Sequence, residues 1–214
     1  MDKEYWGTYY LQRGKDQAIS KSSSFAQFCS DEFFLGKNLS IVELGAGNCR
    51  DAAYLASLEH HVYAIDQSPT IMDVGKESVG IEFRQYLHPE ATNFVTKDYS
   101  KLGKIDAFYS RFTIHSITKE DEIILLPKVF RKLNNGGLFC IEVRTIKDPL
   151  YGVGEACGGN TFMTDGHMRR FIDSREFREQ VSNIGFKELY FIEQDNLSVY
   201  KGDNPVLMRI ILQK

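Results

Sequence analysis

The sequence has little of what marks metal-binding, disulfide-rich or membrane proteins. Its 4 cysteines form no Cys-x-x-Cys pair and lie far apart, which argues against a structural zinc site or a disulfide framework. No apolar run approaches the roughly 18 residues that a membrane-spanning helix needs. The charged, aromatic start lacks the apolar core of a signal peptide. We therefore expect a cytoplasmic protein with free thiols, no membrane span and no metal site.

The sequence also lacks an excess of positive charge. Lysine and arginine together number 26, against 29 aspartate and glutamate residues, so the formal net charge is -3. Nucleic-acid-binding proteins usually carry a broad basic face, and we expect no nucleic-acid partner. Hydrophobic residues make up 43% and charged residues 26% of the 214 positions, which is ordinary for one globular domain.

Short apolar runs alternate with amphipathic stretches from residue 40 onwards. The runs predict strands and the stretches between them predict helices, including one that begins after Ser68-Pro69. This alternation is typical of βαβ units, whereas the last two runs have no helix between them. We expect an α/β, Rossmann-like doubly wound fold, with a mainly parallel seven-stranded sheet and an antiparallel C-terminal hairpin. The predicted strands are residues 41–44, 61–65, 94–95, 105–109, 138–143, 187–193 and 206–213.

The most informative motif is a glycine turn, Gly45-Ala46-Gly47, between the first predicted strand and the following helix. Glycine lets the backbone turn tightly and lets a ligand approach without meeting a Cβ atom. Asp66 ends the next predicted strand, where a carboxylate can accept hydrogen bonds from a ribose diol. The same arrangement serves nicotinamide, flavin and S-adenosylmethionine sites, so these residues alone leave the cofactor open.

Two neighbouring residues bear on the choice of cofactor. Arg50 stands where the dinucleotide fingerprint has its third glycine, and Asp51 disfavours a pyrophosphate at the start of the helix. A sulfonium ligand carries no phosphate and tolerates acids around the loop. We therefore favour S-adenosylmethionine and keep an NAD-dependent oxidoreductase of Rossmann type as the alternative.

The block Glu43-Leu44-Gly45-Ala46-Gly47-Asn48 resembles motif I of class I S-adenosylmethionine-dependent methyltransferases, and the resemblance extends over about residues 38–145. It implies an enzyme of that kind, in which Asp66 binds the ribose and Asp98, after a third strand, contacts the adenine. A non-catalytic S-adenosylmethionine-binding protein is the alternative from another class. The cofactor-binding residues that the resemblance implies are Glu43, Gly45, Ala46, Gly47, Asn48, Asp66, Gln67, Asp98, Tyr99, Arg111, Phe112 and Trp6.

The segment Tyr109–His115 follows the fourth predicted strand. It resembles the methyltransferase segment that lines the adenine and methionine and supplies a base or a group that positions the acceptor. His115 is the candidate catalytic residue because the unperturbed pKa of histidine lies near neutrality. The alternative is a histidine that caps or packs against the next helix.

Basic side chains flank the Gly-rich, irregular span 151–166, and long irregular loops in compact domains are often functional. Arginine binds carboxylates and phosphates bidentately, which suits an acidic acceptor. The alternative is surface pairing with Asp165, Asp173 and Glu176. The predicted substrate-binding residues are Arg144, Arg169, Arg170, His167 and, from the N-terminal stretch, Tyr9.

The stretch before residue 38 contains the only tryptophan, Trp6. Tyr5, Trp6 and Tyr9 can share one helix face, either as a lid over the cofactor or as simple packing against the core. We expect a single methyltransferase domain over residues 1–214. Its predicted parts are an N-terminal helical lid (1–37), a cofactor-binding core (38–145), and a substrate-side insert with the C-terminal hairpin (146–214).

A second resemblance concerns the acceptor. The Tyr-Trp start, the Ser-Ser-Phe element at 23–25 and the ending Glu142-Val143-Arg144 resemble bacterial methyltransferases of capsule or lipopolysaccharide synthesis. This implies a small or glycan-linked polar acceptor, with O-methylation of a sugar or phosphate-like group in surface polysaccharide synthesis. No Asn-Pro-Pro-Tyr-type base-flipping motif follows the fourth predicted strand, which again argues against nucleic acid.

Overall fold

The computed structural model describes residues 21–36, 38–69, 73, 75, 77–164 and 166–214. The chain forms two compact units, of which the described parts lie within residues 21–109 and 110–214. The predictions made for Trp6, Tyr9 and the N-terminal lid lie outside the described residues, as does most of the helix predicted after Ser68-Pro69.

The first unit is built from parallel strands joined by helices. Strand β1 pairs in parallel with β2, and β2 pairs in parallel with β3. Their carboxyl ends therefore meet at one edge, where the glycine turn follows β1 and Asp66 ends β2. The elements are α1 (Ser24–Glu32), β1 (Ser40–Leu44), α2 (Arg50–Ser57), β2 (His61–Asp66), a 3-10 helix (Ile81–Tyr86), β3 (Leu87–Ala91) and most of β4 (Ile105–Arg111).

The second unit contains the antiparallel end of the chain and a small separate sheet. Strand β10 lies between β5 and β9 and is antiparallel to both. The elements are a 3-10 turn (Ile114–Ser116), α3 (Lys119–Lys132), β5 (Leu133–Arg144), β6 (Glu155–Ala156), β7 (Thr161–Thr164), β8 (His167–Arg170), α4 (Ser174–Ile184), β9 (Lys187–Gln194) and β10 (Leu207–Gln213).

The larger sheet has seven strands in the order β3-β2-β1-β4-β5-β10-β9. The predicted α/β fold, with a mainly parallel seven-stranded sheet and an antiparallel C-terminal hairpin, is confirmed. Among the described residues, no helix has the length and the apolar composition to cross a membrane.

The prediction of a strand at Phe94-Val95 is wrong. The third strand is β3, and Phe94 and Val95 lie in a turn after it, where the Asn93 side chain accepts the Val95 N–H at 2.8 Å. Both residues are buried, so their apolar character reflects packing of the turn and not a strand. Strand β3 was missed because it contains Pro89, which an edge strand tolerates.

The Gly-rich span is not wholly irregular as predicted. Strands β6 and β7 form a hairpin within it, and β8 completes a three-stranded sheet. Gly154, Gly158 and Gly159 have positive φ, so the glycines allow tight turns between very short strands.

Candidate functional site

The glycine turn is bound to the end of the neighbouring strand. The N–H groups of Gly45 and Ala46 both donate to the carbonyl oxygen of Ile65, at 2.8 and 2.9 Å. Gly45 has φ 71° and Gly47 has φ 55°, which is the left-handed region that glycine adopts without strain. The sequence therefore places two glycines where the chain reverses between β1 and α2.

Asp66 connects this turn to the segment after β2. Its Oδ2 accepts the Gly47 N–H and its Oδ1 accepts the Ser68 N–H, both at 3.0 Å. The side chain is half-buried, as is that of the neighbouring Gln67. A carboxylate offers about four acceptor positions, so Asp66 can hold the turn and still accept hydrogen bonds from a diol.

Two buried acids lie beside the turn. Glu43 is 5% exposed, and burial, followed by the charge of Asp51, raises its pKa well above 4.5. Asp51 accepts hydrogen bonds from the Ser23 N–H and Oγ at 2.7 Å each and from the Tyr109 hydroxyl at 2.8 Å. Sequence reasoning missed this role of Ser23 and Tyr109, and used Asp51 only as an argument against a pyrophosphate.

Asp98 and Tyr99 lie well beyond the end of β3. The exposed carboxylate of Asp98 accepts hydrogen bonds from the Ser100 N–H and Oγ, each at 2.8 Å. Tyr99 is buried and its hydroxyl donates to the Phe94 carbonyl oxygen at 2.7 Å, and burial raises the pKa of that hydroxyl. Tyr99 is thus part of the core, and the adenine contacts assigned to this pair stay predictions.

In the second unit, His115 is buried in the 3-10 turn after β4. Its Nδ1 lies 3.1 Å from the Arg144 backbone nitrogen, which must donate. Nδ1 is therefore unprotonated, and the neutral imidazole carries its proton on Nε2. In this form His115 presents a hydrogen-bond donor at Nε2 and not the lone pair that a base needs.

We expect this tautomer to be observable directly. Long-range ¹H–¹⁵N spectra of histidine-labelled protein at neutral pH should show His115 with its proton on Nε2 and an unprotonated Nδ1. His115→Gln identifies the resonance by its loss. A proton on Nδ1 in the wild-type spectrum would contradict the bond from Arg144.

Phe112 links His115 to two arginines. The centroid of its ring lies 4.3 Å from the guanidinium carbon of Arg111 and 5.9 Å from that of Arg144. The centroid of the His115 ring is 5.6 Å away. Phe112 has φ 55°, an uncommon conformation for a bulky residue. Strained backbone of this kind clusters at functional sites, so the end of β4 is the candidate acceptor side.

The arginines predicted to bind substrate make ion pairs within the chain. Arg144 pairs with Asp148 at 2.8 Å and also with Asp203, in the loop before β10. Arg170 is buried and donates to the carbonyl oxygens of Ile117 and Ile114, at 2.8 and 2.7 Å. It also pairs with Glu122 at 2.7 Å.

Pairing therefore occurs, although these partners differ from the predicted Asp165, Asp173 and Glu176. Arg111, predicted for the cofactor, pairs with Glu142 at 2.8 Å. Arg169 is half-buried in β8, opposite Phe162 in the register, and the described part of His167 is its backbone. The substrate-binding roles of these residues stay predictions.

A cavity of about 410 Å³ lies in the second unit. It is bounded by the 3-10 turn, the start of α3, the turn between β6 and β7, and the start of α4. Cys157 is an exposed cysteine, whereas Cys29, Cys49 and Cys140 are buried. The part of the chain that the structure describes has no group of three or more His, Cys, Asp or Glu placed to hold a metal ion. Lining residues include His115, Thr118, Cys157, Asn160, Arg170 and Phe177.

Comparisons with known proteins agree with this geometry. Residues 41–137 match the family model described as a methyltransferase domain. The search of curated proteins found no match. Similar solved structures include a TehB-like SAM-dependent methyltransferase from Corynebacterium glutamicum, at 15% identity, covering 100% of both chains with a TM-score of 0.68.

Two further structures share the fold. The CcbJ methyltransferase from Streptomyces caelestis is 13% identical, with 99% of this chain and 98% of that chain covered and a TM-score of 0.75. The Burkholderia thailandensis 1,6-didemethyltoxoflavin-N1-methyltransferase, solved with S-adenosylhomocysteine, is 16% identical, with coverage of 100% and 91% and a TM-score of 0.68.

The matched segment contains the glycine turn, Asp66 and Glu43, and these residues fit S-adenosylmethionine. Glu43 Oε2 is a buried acid oxygen without a hydrogen-bond partner among the described residues, beside a turn open to close approach. Acids suit a ligand with a sulfonium and a ribose, and the family match decides against the nicotinamide alternative. Residues 41–137 therefore match a methyltransferase domain, and the chain shares the fold of S-adenosylmethionine-dependent methyltransferases.

Proposed function

We propose that the enzyme methylates an oxygen of a small polar acceptor, and that this oxygen is already ionised when it reacts. The observation that carries the proposal is the hydrogen bond from the Arg144 N–H to His115 Nδ1. An ionised acceptor needs no general base and is held well by an N–H donor, whereas a neutral hydroxyl needs partial deprotonation. A phosphate-like or carboxylate oxygen fits these requirements better than a sugar hydroxyl.

The donor side of the proposal rests on the first unit. Asp66 binds the ribose hydroxyls through its remaining lone pairs, and Gly45 and Gly47 let the ligand lie against the backbone. Glu43 supplies a buried acid beside the turn. When bound, S-adenosylmethionine supplies a methyl group activated by the sulfonium. The protein's part is to orient the acceptor for in-line displacement.

The acceptor side rests on the second unit. His115 donates from Nε2 to the acceptor oxygen and so fixes its position, and Phe112 packs beside it. The cavity next to His115 accommodates the rest of a small molecule. Arg170 acts on this site indirectly, because it binds the carbonyl groups at both ends of the turn that carries His115. The role in capsule or lipopolysaccharide synthesis stays a proposal that rests on the sequence resemblance.

The test compares two substitutions of His115 with different chemistry. Methyl transfer from tritiated S-adenosylmethionine is measured with matched acceptors, namely hexoses, hexose phosphates and hexuronates. His115→Ala should lower methylation of the preferred acceptor by about 100-fold, since a charge-assisted hydrogen bond contributes about 1.5–3 kcal/mol. His115→Gln keeps an N–H donor and should retain more activity than the alanine variant.

The control is adenosylhomocysteine binding, which both variants should keep. Equal loss in the two variants would contradict the role of His115 as a hydrogen-bond donor and would overturn the proposal of an ionised acceptor held by it. A preference for neutral hexoses over hexose phosphates and hexuronates would also overturn the proposal of an ionised acceptor. Cofactor binding without methylation of any acceptor would favour the non-catalytic alternative.

A further inference from the structure

Glu43 is a buried acid with few hydrogen-bond donors around its carboxyl group. It lies one residue before the end of β1 and accepts a hydrogen bond from the Ala52 N–H. Its Oε2 has no hydrogen-bond partner among the residues that the structure describes. An ionised carboxylate in such a place is costly, because neither water nor a donor compensates one of its oxygens.

The charged groups around Glu43 act on its ionisation in both directions. They are Asp51 and Arg50 on α2 and Asp66 at the end of β2, of which the two acids oppose ionisation. Asp51 accepts three hydrogen bonds, which come from Ser23 and Tyr109. Arg50 favours the ionised form of Glu43. Its Nε also lies 3.9 Å from Asp51 Oδ1, so its charge acts on both acids. Asp51 therefore has donors for its oxygens, whereas one oxygen of Glu43 has none among the described residues.

We propose that Glu43 carries a proton in the free enzyme and releases it when S-adenosylmethionine binds. The O–H bond of the Glu43 carboxyl breaks, its electron pair stays on the carboxylate, and the proton passes to solvent buffer. The ligand has a sulfonium, an ammonium and a carboxylate, so it brings a net positive charge, whereas adenosylhomocysteine has none. A cation near a buried acid favours its ionised form. This inference rests on the donor site proposed above.

The pH dependence follows from the release of a proton. Affinity for S-adenosylmethionine should rise with pH, by up to about tenfold per unit, and level off once Glu43 is ionised in the free enzyme. The contribution of Glu43 to the stability of the free protein changes in the opposite direction. The folded state binds this proton more tightly than the unfolded state, so the contribution is fully present below pH 4.5 and is lost as pH rises through the raised pKa.

The experiment is calorimetry of cofactor binding in two buffers with different heats of ionisation, at several pH values above 4.5. In the wild-type protein, S-adenosylmethionine should release up to about one proton, seen as a difference in heat between the buffers. Adenosylhomocysteine should release less. Glu43→Gln should bind without this difference, while Glu82→Gln, at an exposed acid in the same unit, should behave as wild type.

Two outcomes separate this inference from the donor site itself. Binding with heats that do not depend on the buffer would overturn the proton release and leave the donor site intact. Failure of both ligands to bind the wild-type protein would overturn the donor site. If Glu43→Gln does not fold, infrared difference spectra of the wild type decide. Addition of the cofactor should replace a protonated-carboxyl band by a carboxylate band, and an unchanged spectrum would refute the inference.

Discussion

Asp66→Ala is expected to lower the affinity for adenosylhomocysteine by at least about 100-fold. The substitution removes the acceptor proposed for the ribose diol and also the anchors of the Gly47 and Ser68 N–H groups. Hydrogen bonds to a charged group contribute about 1.5–3 kcal/mol each, and about 2.7 kcal/mol corresponds to a factor of 100. Isothermal titration calorimetry with adenosylhomocysteine measures the effect.

Asp106→Ala is the matched control for this loss. Asp106 also accepts a backbone N–H, from Ser40 at 2.9 Å, but it lies at the start of β4 and Ser40 at the start of β1. This variant should lose about 1 kcal/mol of stability with its hydrogen bond. It should keep its affinity within about threefold, because Ser40 lies at the other end of β1 from the glycine turn. Similar binding by the Asp66 and Asp106 variants would remove Asp66 from the cofactor site.

Glu142→Ala is expected to destabilise the protein more than any exposed substitution, by about 4 kcal/mol in the free energy of unfolding. The Glu142 side chain is fully buried and pairs with Arg111 at 2.8 Å and Arg209 at 2.6 Å. Removal of the shared partner of a buried ion pair costs about 3–5 kcal/mol because it leaves charge buried and unpaired. Urea denaturation followed by circular dichroism measures the change.

The comparison for this prediction is an exposed pair on α4. Arg175 and Glu179 are 3.1 Å apart with largely exposed side chains, and Glu179→Ala should change stability by less than about 0.5 kcal/mol. A loss below about 1 kcal/mol for Glu142→Ala would mean that solvent reaches the two arginines. The same two arginines bind the loop before β10, through Ser198 and Leu197, so that loop should become more exposed to proteolysis in the variant.

The donor side could be predicted from the sequence because its chemistry is local. A strand, a glycine turn and the acid that ends the next strand lie within residues 41–66, and short-range patterns fix their placement. Ser23 and Tyr109 were missed because they contact Asp51 from 28 and 58 residues away. The residue types alone do not predict contacts between residues so far apart in the sequence.

The acceptor side could be predicted only in part for the same reason. The sequence located His115 but not its tautomer, which depends on a backbone N–H 29 residues further on. The sequence identified Arg170 as a cation but not its partner Glu122, which is 48 residues away. The arginines were predicted to bind a ligand because the sequence does not show which acidic side chains pair with them.

The place of β10 in the sheet sets an order of assembly. Strand β9 pairs with β10, and β10 in turn pairs with β5, so residues 187–194 reach their final hydrogen bonds only after residues 207–213 have arrived. Pairing between residues far apart in sequence is slow because the loop must close before contacts form. Without β10, β5 presents an open edge, and unpaired strand edges are prone to wrong pairing.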